Sequence, residues 1–248
     1  RRNLTSSSSL AMSDPGSKHP AAGRIARYAL PPIDYHQLLR GRLQHLADVL
    51  HQHAPGCRTR GVVDTAPLLE RDYARLAGLG WFGKNTMLLH KRLGSWLFLA
   101  ALLTDVELPP DQPHDSSHCG TCTRCLDACP TDALTAPYVL DATRCISYLT
   151  IEHRGSLSPE QRSGVGDWLF GCDICNEVCP WNRKAPSTSD PELQPDPNLQ
   201  ALTAVELLAM PRDEFERRFG GTPLARPGWE GMRHNAEIVL ENSGSRDA

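Results

Sequence analysis

Nine cysteines stand in this chain, and eight of them fall where thiolates could share iron. The run Cys119-Gly-Thr-Cys122-Thr-Arg-Cys125-Leu-Asp-Ala-Cys129-Pro130 is followed by Cys172-Asp-Ile-Cys175-Asn-Glu-Val-Cys179-Pro180. In the first run, close spacing lets three thiolates wrap one 4Fe-4S cubane while the fourth reaches a neighbouring cubane. Cys145 supplies the ligand that the second run lacks, which makes eight thiolates for two cubanes. Crossing of this kind assigns Cys119, Cys122, Cys125 and Cys179 to one cluster, and Cys129, Cys145, Cys172 and Cys175 to the other. CxxC pairs also hold zinc, and cysteines in small secreted chains form disulfides. Neither alternative explains two runs that each end in Cys-Pro. Cys57 follows Pro-Gly with no partner at ligand spacing and reads as an ordinary thiol.

The 248 residues, 40% of them hydrophobic, can bury the core of one or two compact domains. No apolar run is long enough to span a membrane; the longest, residues 96–103, reads as a buried strand or buried helix segment. No leader is visible before Arg1, the true start is expected to lie upstream, and cluster chemistry predicts a reducing, cytoplasmic setting. The net charge of -3 is unevenly spread: residues 1–60 carry nine Lys and Arg against three acids, residues 111–180 four against ten. The basic front could meet a polyanion or be ordinary solvated helix surface, and charge alone does not decide between them.

The elements that position the cysteines follow from punctuation. Residues 3–20 read as a disordered lead-in. A helix is predicted over 34–53, capped by Asp34, with Leu38, Leu39, Leu43, Leu46, Val49 and Leu50 as one apolar stripe. Residues 59–64 read as a strand and 68–77 as a helix stopped by Gly78, followed by a glycine-bounded turn at 80–85 and strands at 87–89 and 96–103. Prolines at 108–113 mark a boundary. Short helices are expected after each cysteine run and a longer one over 158–170. A linker at 187–197 leads to helices near 203–219 and 230–241.

About a hundred residues precede the cysteines, more than a free ferredoxin needs, so something in front is expected to accept electrons. Here the chain resembles the epoxyqueuosine reductases of tRNA modification, cobalamin enzymes related to reductive dehalogenases. The stretches that carry the resemblance are Arg27-Tyr-Ala with Asp34-Tyr-His36, Val63-Asp-Thr-Ala-Pro-Leu68, Gly78-Leu-Gly-Trp-Phe-Gly-Lys-Asn85, Gly94-Ser-Trp96, Arg144-Cys-Ile-Ser147, Gly171-Cys to Pro180-Trp-Asn182, and Arg233-His-Asn-Ala-Glu237. It implies an α+β chain: an incomplete α/β-sandwich cobalamin-binding domain, nitroreductase-like and reductive-dehalogenase-like, over 23–110, then a bacterial two-cluster ferredoxin-like domain over 111–186, then a linker and helical segment to 248. Two departures stand out. The family has residues before this chain's Arg1 that help bind cobalamin, and Leu30-Pro-Pro-Ile33 lengthens a connection that is usually shorter. Larger members of the family continue into helical repeats, and the tRNA contacts that such an extension provides are not expected within these 248 residues.

The resemblance implies that Asp64 is the proton donor. From the residues alone, its place at a strand end allows a carboxylate in a cleft, with burial raising its pKa, or a cap on the turn before Pro67. Cobalamin contacts are implied at Arg27, Asp64, Leu88, Leu99, Leu102, Ser147, Cys172 and Asp173, where core packing is the competing reading for the leucines. Glycines at 80–85 would let backbone approach the flat macrocycle. Substrate contacts are implied at Tyr35, His36 and Arg71, which could equally be helix surface. Asp34-Tyr-His36 echoes the start of domains in which histidine binds cobalt, but position 39 is Leu rather than Gly, and the family binds cobalamin base-off without a histidine ligand.

The leading functional reading is reduction of the epoxide of epoxyqueuosine in tRNA to queuosine by a monomer fed by a flavodoxin- or ferredoxin-like donor. The alternatives are a cobalamin-dependent reductase of another electrophile, such as an organohalide, and a non-enzymatic ferredoxin-like electron carrier.

Overall fold

The structure, a computed structural model, describes residues 23–244, so the expected lead-in lies outside the described residues. The chain mixes helices with short strands: β1 (Arg24–Ile25), α1 (Tyr35–His53), β2 (Thr59–Val62), α2 (Glu70–Leu76), β3 (Trp81–Phe82), β4 (Leu88–Leu89) and β5 (Ala101–Thr104) come first. The cysteine region adds α3 (Arg124–Asp127), β6 (Leu134–Ala136), β7 (Val139–Leu140), α4 (Ile146–Ile151), α5 (Pro159–Val165), β8 (Trp168–Phe170) and α6 (Ile174–Glu177). The chain then closes with α7 (Pro197–Gln200), α8 (Ala204–Ala209), α9 (Arg212–Phe219) and α10 (Gly228–Gly244). Among the described residues no helix is long and apolar enough to cross a membrane.

Helix α1 starts where expected because Asp34 accepts a hydrogen bond from the His36 N–H at 2.8 Å. Its buried stripe is narrower than predicted: Leu38, Leu43 and Ala47 are covered, whereas Leu46 and Val49 are 52% and 39% exposed. The surface beneath explains this, since β2 pairs antiparallel with β5 alone, and two strands cannot cover a wide helix face. A Cβ at Gly61 would stand 3.1 Å from Leu43, so glycine lets the helix lie close.

Several expected elements shift. Residues 80–85 form one arm and the turn of a hairpin, with Trp81 and Phe82 pairing with Leu89 and Leu88. The polar Gly83 to Thr86 stretch hid the strand before it. Gly80 has no alternative, because a Cβ there would fall 2.1 Å from the Leu89 carbonyl oxygen. The apolar run 96–103 is only half-buried, and strand pairing begins at Ala101. Instead of one helix over 158–170, α5 ends at Val165, where Gly166 takes φ 64°, and buried β8 follows. The short helices α3 and α6 lie within the cysteine runs rather than after them.

The C-terminal helices are part of the main core. Ala29, Leu169 and Phe170 pack with Leu202, Leu207, Phe215, Phe219, Met232 and Ala236 in one buried cluster. Parallel pairing of β1 with β8 ties the front to the cysteine region, so packing crosses the boundaries expected at 110 and 186. Buried Asn235 on α10 completes the join, donating to the Thr150 carbonyl at 2.8 Å and the Leu169 carbonyl at 2.9 Å.

Candidate iron-sulfur and proton-transfer site

The eight cysteines lie in two neighbourhoods. Burial pushes the Cys125 and Cys179 thiols up, and neighbouring thiols push further: Cys119 and Cys179 act on Cys125, Cys119 and Cys122 on Cys179. In the other neighbourhood, burial pushes Cys172 and Cys175 up to about 12, with added charge effects from Cys145 and Cys129 on Cys172, and from Cys172, Cys145 and, across from the first neighbourhood, Cys125 on Cys175. Cys129 is also raised by burial, yet hydrogen bonds from Thr131 and from the Ala133 N–H at 3.3 Å bring it below the usual thiol value. Thiolates gathered this way would be stabilised by a cationic partner. Among the described residues no group of three His, Cys, Asp or Glu side chains is placed to hold a single metal ion. Cysteine thiolates in sets of four are the ligand set of an iron-sulfur cubane.

The hairpin turn is the part of this site that sequence reasoning misread. Lys84 Nζ donates to the Gly120 carbonyl at 2.8 Å and the Cys122 carbonyl at 3.0 Å, and buried Asn85 Nδ2 donates to the Cys175 carbonyl at 3.4 Å. The Gly-Lys-Asn turn thus clamps both cysteine runs. A second clamp joins Gly94-Ser-Trp96 to the end of the later run: Asn182 Oδ1 accepts from the Ser95 N–H at 2.7 Å, and Ser95 Oγ donates to Asn176 at 3.0 Å. A polar turn next to a glycine was a signal for such contacts. Trp81 and Trp181, edge to face at 4.8 Å, wall Cys179 and Cys119.

Asp64 stands beyond the end of β2 with φ 44°, a conformation Asp tolerates better than most residues. The expected burial is absent: its side chain is 62% exposed because the left-handed turn carries it off the strand end. Its neighbours are polar and aromatic. Tyr35 Oη donates to Asp64 Oδ2 at 2.9 Å, and His36 Nε2 lies 3.2 Å from the same oxygen. His36 Nδ1 lies 2.7 Å from Asp34 Oδ1, so the capping carboxylate that starts α1 also orients the imidazole. Among the described residues Asp64 Oδ1 has no hydrogen-bond partner. Tyr35 is stacked between His36 at 4.1 Å and Phe98 at 4.7 Å. Burial, then the hydrogen bond to Asp64, pushes its hydroxyl well above the ordinary tyrosine value, so it stays a hydrogen-bond donor.

This group lies close to the second cysteine neighbourhood. Tyr28 meets Tyr35 edge to face at 5.8 Å, and its hydroxyl is pushed far up by burial and then by the charges of Asp173 and Asp64. Asp173, buried next to Cys172, accepts from the Arg27 N–H at 2.6 Å; burial raises it to about 6. The Arg27 guanidinium sits 5.1 Å above Trp96. Arg27, Cys172 and Asp173 are therefore together, Ser147 is half-exposed on the first turn of α4, and Leu99 and Leu102 are half-exposed in and before β5. Trp96, Phe98, Leu99 and Leu102 are half-exposed, with Trp96 beneath Arg27 and Phe98 against Tyr35, so apolar surface is available next to polar groups of the kind a flat cofactor would need. Leu88 is buried in the β3–β4 hairpin. Arg71 does not join Asp64: it donates to the Thr86 carbonyl at 2.6 Å and lines a separate cleft of about 570 Å³ with Leu68, Phe82, Tyr138 and Leu140. Cys57 is a free thiol on the loop before β2.

A chain with two thiol neighbourhoods next to a carboxylate–imidazole–phenol group belongs to the iron-sulfur redox proteins. The comparisons agree: the family model described as a 4Fe-4S double cluster binding domain matches residues 118–182, and that of "Epoxyqueuosine reductase QueG, DUF1730" matches residues 8–65. The epoxyqueuosine reductase of Xanthomonas campestris is 47% identical over 90% of this chain and 62% of its own length. That of Cellulophaga algicola is 39% identical over 87% of the chain and 70% of its own length. A crystal structure of an epoxyqueuosine reductase with an epoxyqueuosine-modified tRNA stem loop superposes with a TM-score of 0.83 at 37% identity, covering 92% of this chain and 62% of that one. The chain belongs to the epoxyqueuosine reductase family, and it spans about three fifths of the length of most of these relatives.

Proposed function

We propose that this chain carries out the reduction of epoxyqueuosine in tRNA: the epoxide takes two electrons and two protons and leaves an alkene and water. The observation that carries the reading is Asp64, held by Tyr35 and His36 close to the Asp173 side of the second cysteine neighbourhood. Cys119, Cys122, Cys125 and Cys179 would hold one 4Fe-4S cluster, and Cys129, Cys145, Cys172 and Cys175 the other. Residues 23–110 read as the nitroreductase-like cobalamin part, 111–186 as the ferredoxin-like part and 187–248 as linker and helical segment. Cobalamin, when bound, supplies a low-valent cobalt centre for the electron-transfer chemistry at the epoxide.

The protein groups then have definite tasks. Arg27, Leu99, Leu102, Ser147, Cys172 and Asp173 would hold the cofactor. Tyr35 and His36 fix Asp64 through Oδ2, which leaves Oδ1 to hold a proton for the departing epoxide oxygen. Asp34 fixes the imidazole, and His36 Nε2 can return a proton to Asp64 after turnover. The wobble base has to be splayed from its loop to reach this group, as RNA-modifying enzymes require. The tRNA stem loop bound by the related reductase supports the substrate class. An external one-electron donor must supply both electrons.

The test is anaerobic reconstitution with iron, sulfide and cobalamin, followed by metal analysis and incubation with epoxyqueuosine-bearing RNA. About eight irons and one cobalt per chain with conversion to queuosine are expected. Clusters without cobalt or conversion would leave an electron carrier, and turnover of an organohalide but not the RNA would favour the other reductase reading.

A further inference from the structure

Cations that nothing in the fold consumes lie near the first cysteine neighbourhood along the chain. The turn 91–93, closed by the His90–Gly94 bridge, exposes Lys91 and Arg92. Gly94 packs on the later cysteine run: a Cβ there would fall 2.0 Å from Asn182 Oδ1 and 3.1 Å from the Trp181 carbonyl oxygen. Exposed Arg183 and Lys184 follow directly, so the two basic pairs lie side by side. Arg183 also lines a cleft of about 470 Å³ with Arg124, Asp127, Glu177 and Val178. Among the described residues the side chains of Lys91, Arg92, Arg124, Arg183 and Lys184 take part in no hydrogen bond or ion pair. Of the nearby carboxylates, Glu177 pairs with Arg24 at 2.6 Å, whereas Asp127 accepts from the neutral Thr123 hydroxyl at 2.7 Å and keeps its charge. Five free cations, against the one unneutralised carboxylate of Asp127 in the cleft, make a local positive field.

We propose that this stripe is the docking surface for a small acidic one-electron carrier protein, which feeds the cluster held by Cys119, Cys122, Cys125 and Cys179. The inference rests on the proposed cluster chemistry. Arg124 adjoins Cys125, and Arg183 and Lys184 follow Cys179 within a few residues, so a carrier seated here sits directly over that cysteine set. The other set lies against Arg27 and Tyr28, on the side of Asp64. Electrons entering at the outer set therefore travel inward. Each encounter oxidises the carrier by one electron and reduces the outer cluster by one, with no bond made or broken, and two encounters supply the pair that the epoxide consumes. The five cations are separate point charges around a cleft rather than a continuous basic track, which suits a compact acidic protein patch.

The test is the cluster-loaded protein titrated with a reduced bacterial flavodoxin at low ionic strength, read as complex formation, and in parallel as the rate of cluster reduction. The variant Lys91→Glu/Arg92→Glu/Arg183→Glu/Lys184→Glu is expected to bind the flavodoxin about tenfold or more weakly and to lose most of the salt dependence of binding. Its reduction by titanium(III) citrate, and its affinity for a tRNA stem loop, are expected to match the parent. Unchanged flavodoxin binding would overturn the proposal, as would lost stem-loop binding with flavodoxin binding intact, which would assign the stripe to RNA. A parent protein that takes up no iron and sulfide would instead overturn the cluster reading beneath it, an outcome visible before any flavodoxin is added.

Discussion

Replacing Asn235 by alanine tests how the C-terminal helix is joined to the cysteine region. The amide Nδ2 serves two buried acceptors: the carbonyl of Thr150, one of the last-turn carbonyls that α4 cannot satisfy itself, and the carbonyl of Leu169, on β8. Leaving a buried acceptor unpaired costs roughly 1–3 kcal/mol. With two acceptors and partial relaxation, the expected loss is about 3 kcal/mol, or roughly 6–12 °C in Tm for a chain of this size. Asn242 provides the control. It stands two turns along α10 and donates to the Arg162 and Gly166 carbonyls, both at 2.9 Å, but it is only part-buried, so water can replace it. Its alanine variant is expected to lose about 1 kcal/mol or less. The assay is far-UV circular dichroism on cluster-loaded protein under anaerobic conditions, all variants heated at one rate. Equal shifts for Asn235→Ala and Asn242→Ala, or a shift below about 3 °C for Asn235→Ala, would refute the reasoning.

The two cysteine neighbourhoods should be separable: Cys119→Ala should lower iron content by roughly four atoms while the spectrum of the inner cluster persists, and Cys145→Ala should do the converse; loss of all iron from either variant would count against two independent sets. The chain has five tyrosines, and Tyr28 and Tyr35 are both pushed above the ordinary value of 10.0, chiefly by burial. Their neutral forms belong to the fold, so that contribution to stability is intact below pH 10 and is lost as pH climbs past it. Phenolate absorbance should therefore rise in two stages, the second coinciding with unfolding; a single stage in still-folded protein would contradict the assignment.

What could be read from the sequence was whatever local spacing encodes. The cysteine set, the Asp34 cap and the helices near 203–219 and 230–241 follow from patterns over a few residues, and the structure has a helix at each of the latter places. Misreadings arose where distant segments decide. The β3 strand was hidden because Gly80 and Gly83 look like turn residues, although Gly80 is there to clear the Leu89 carbonyl. Exposure of Leu46 and Val49 depends on how few strands lie beneath α1, which periodicity does not reveal. At the site, Lys84 and Asn85 reach carbonyls 36 and 90 residues away, and Phe98 meets Tyr35 only because β5 pairs with β2. The expectation of a buried Asp64 failed on a single backbone angle.

The most direct test of the account is a single-turnover reaction of the Asp64→Asn variant with epoxyqueuosine-bearing RNA, after its iron and cobalt content has been matched to the parent. Asparagine keeps the shape and can still accept from Tyr35 but cannot hold the transferable proton, so the rate of queuosine formation should fall by roughly a hundredfold or more while RNA binding and chemical reduction of the clusters are retained. A variant that forms queuosine at the parent's rate with its full complement of metal would contradict the assignment of Asp64 as the proton donor.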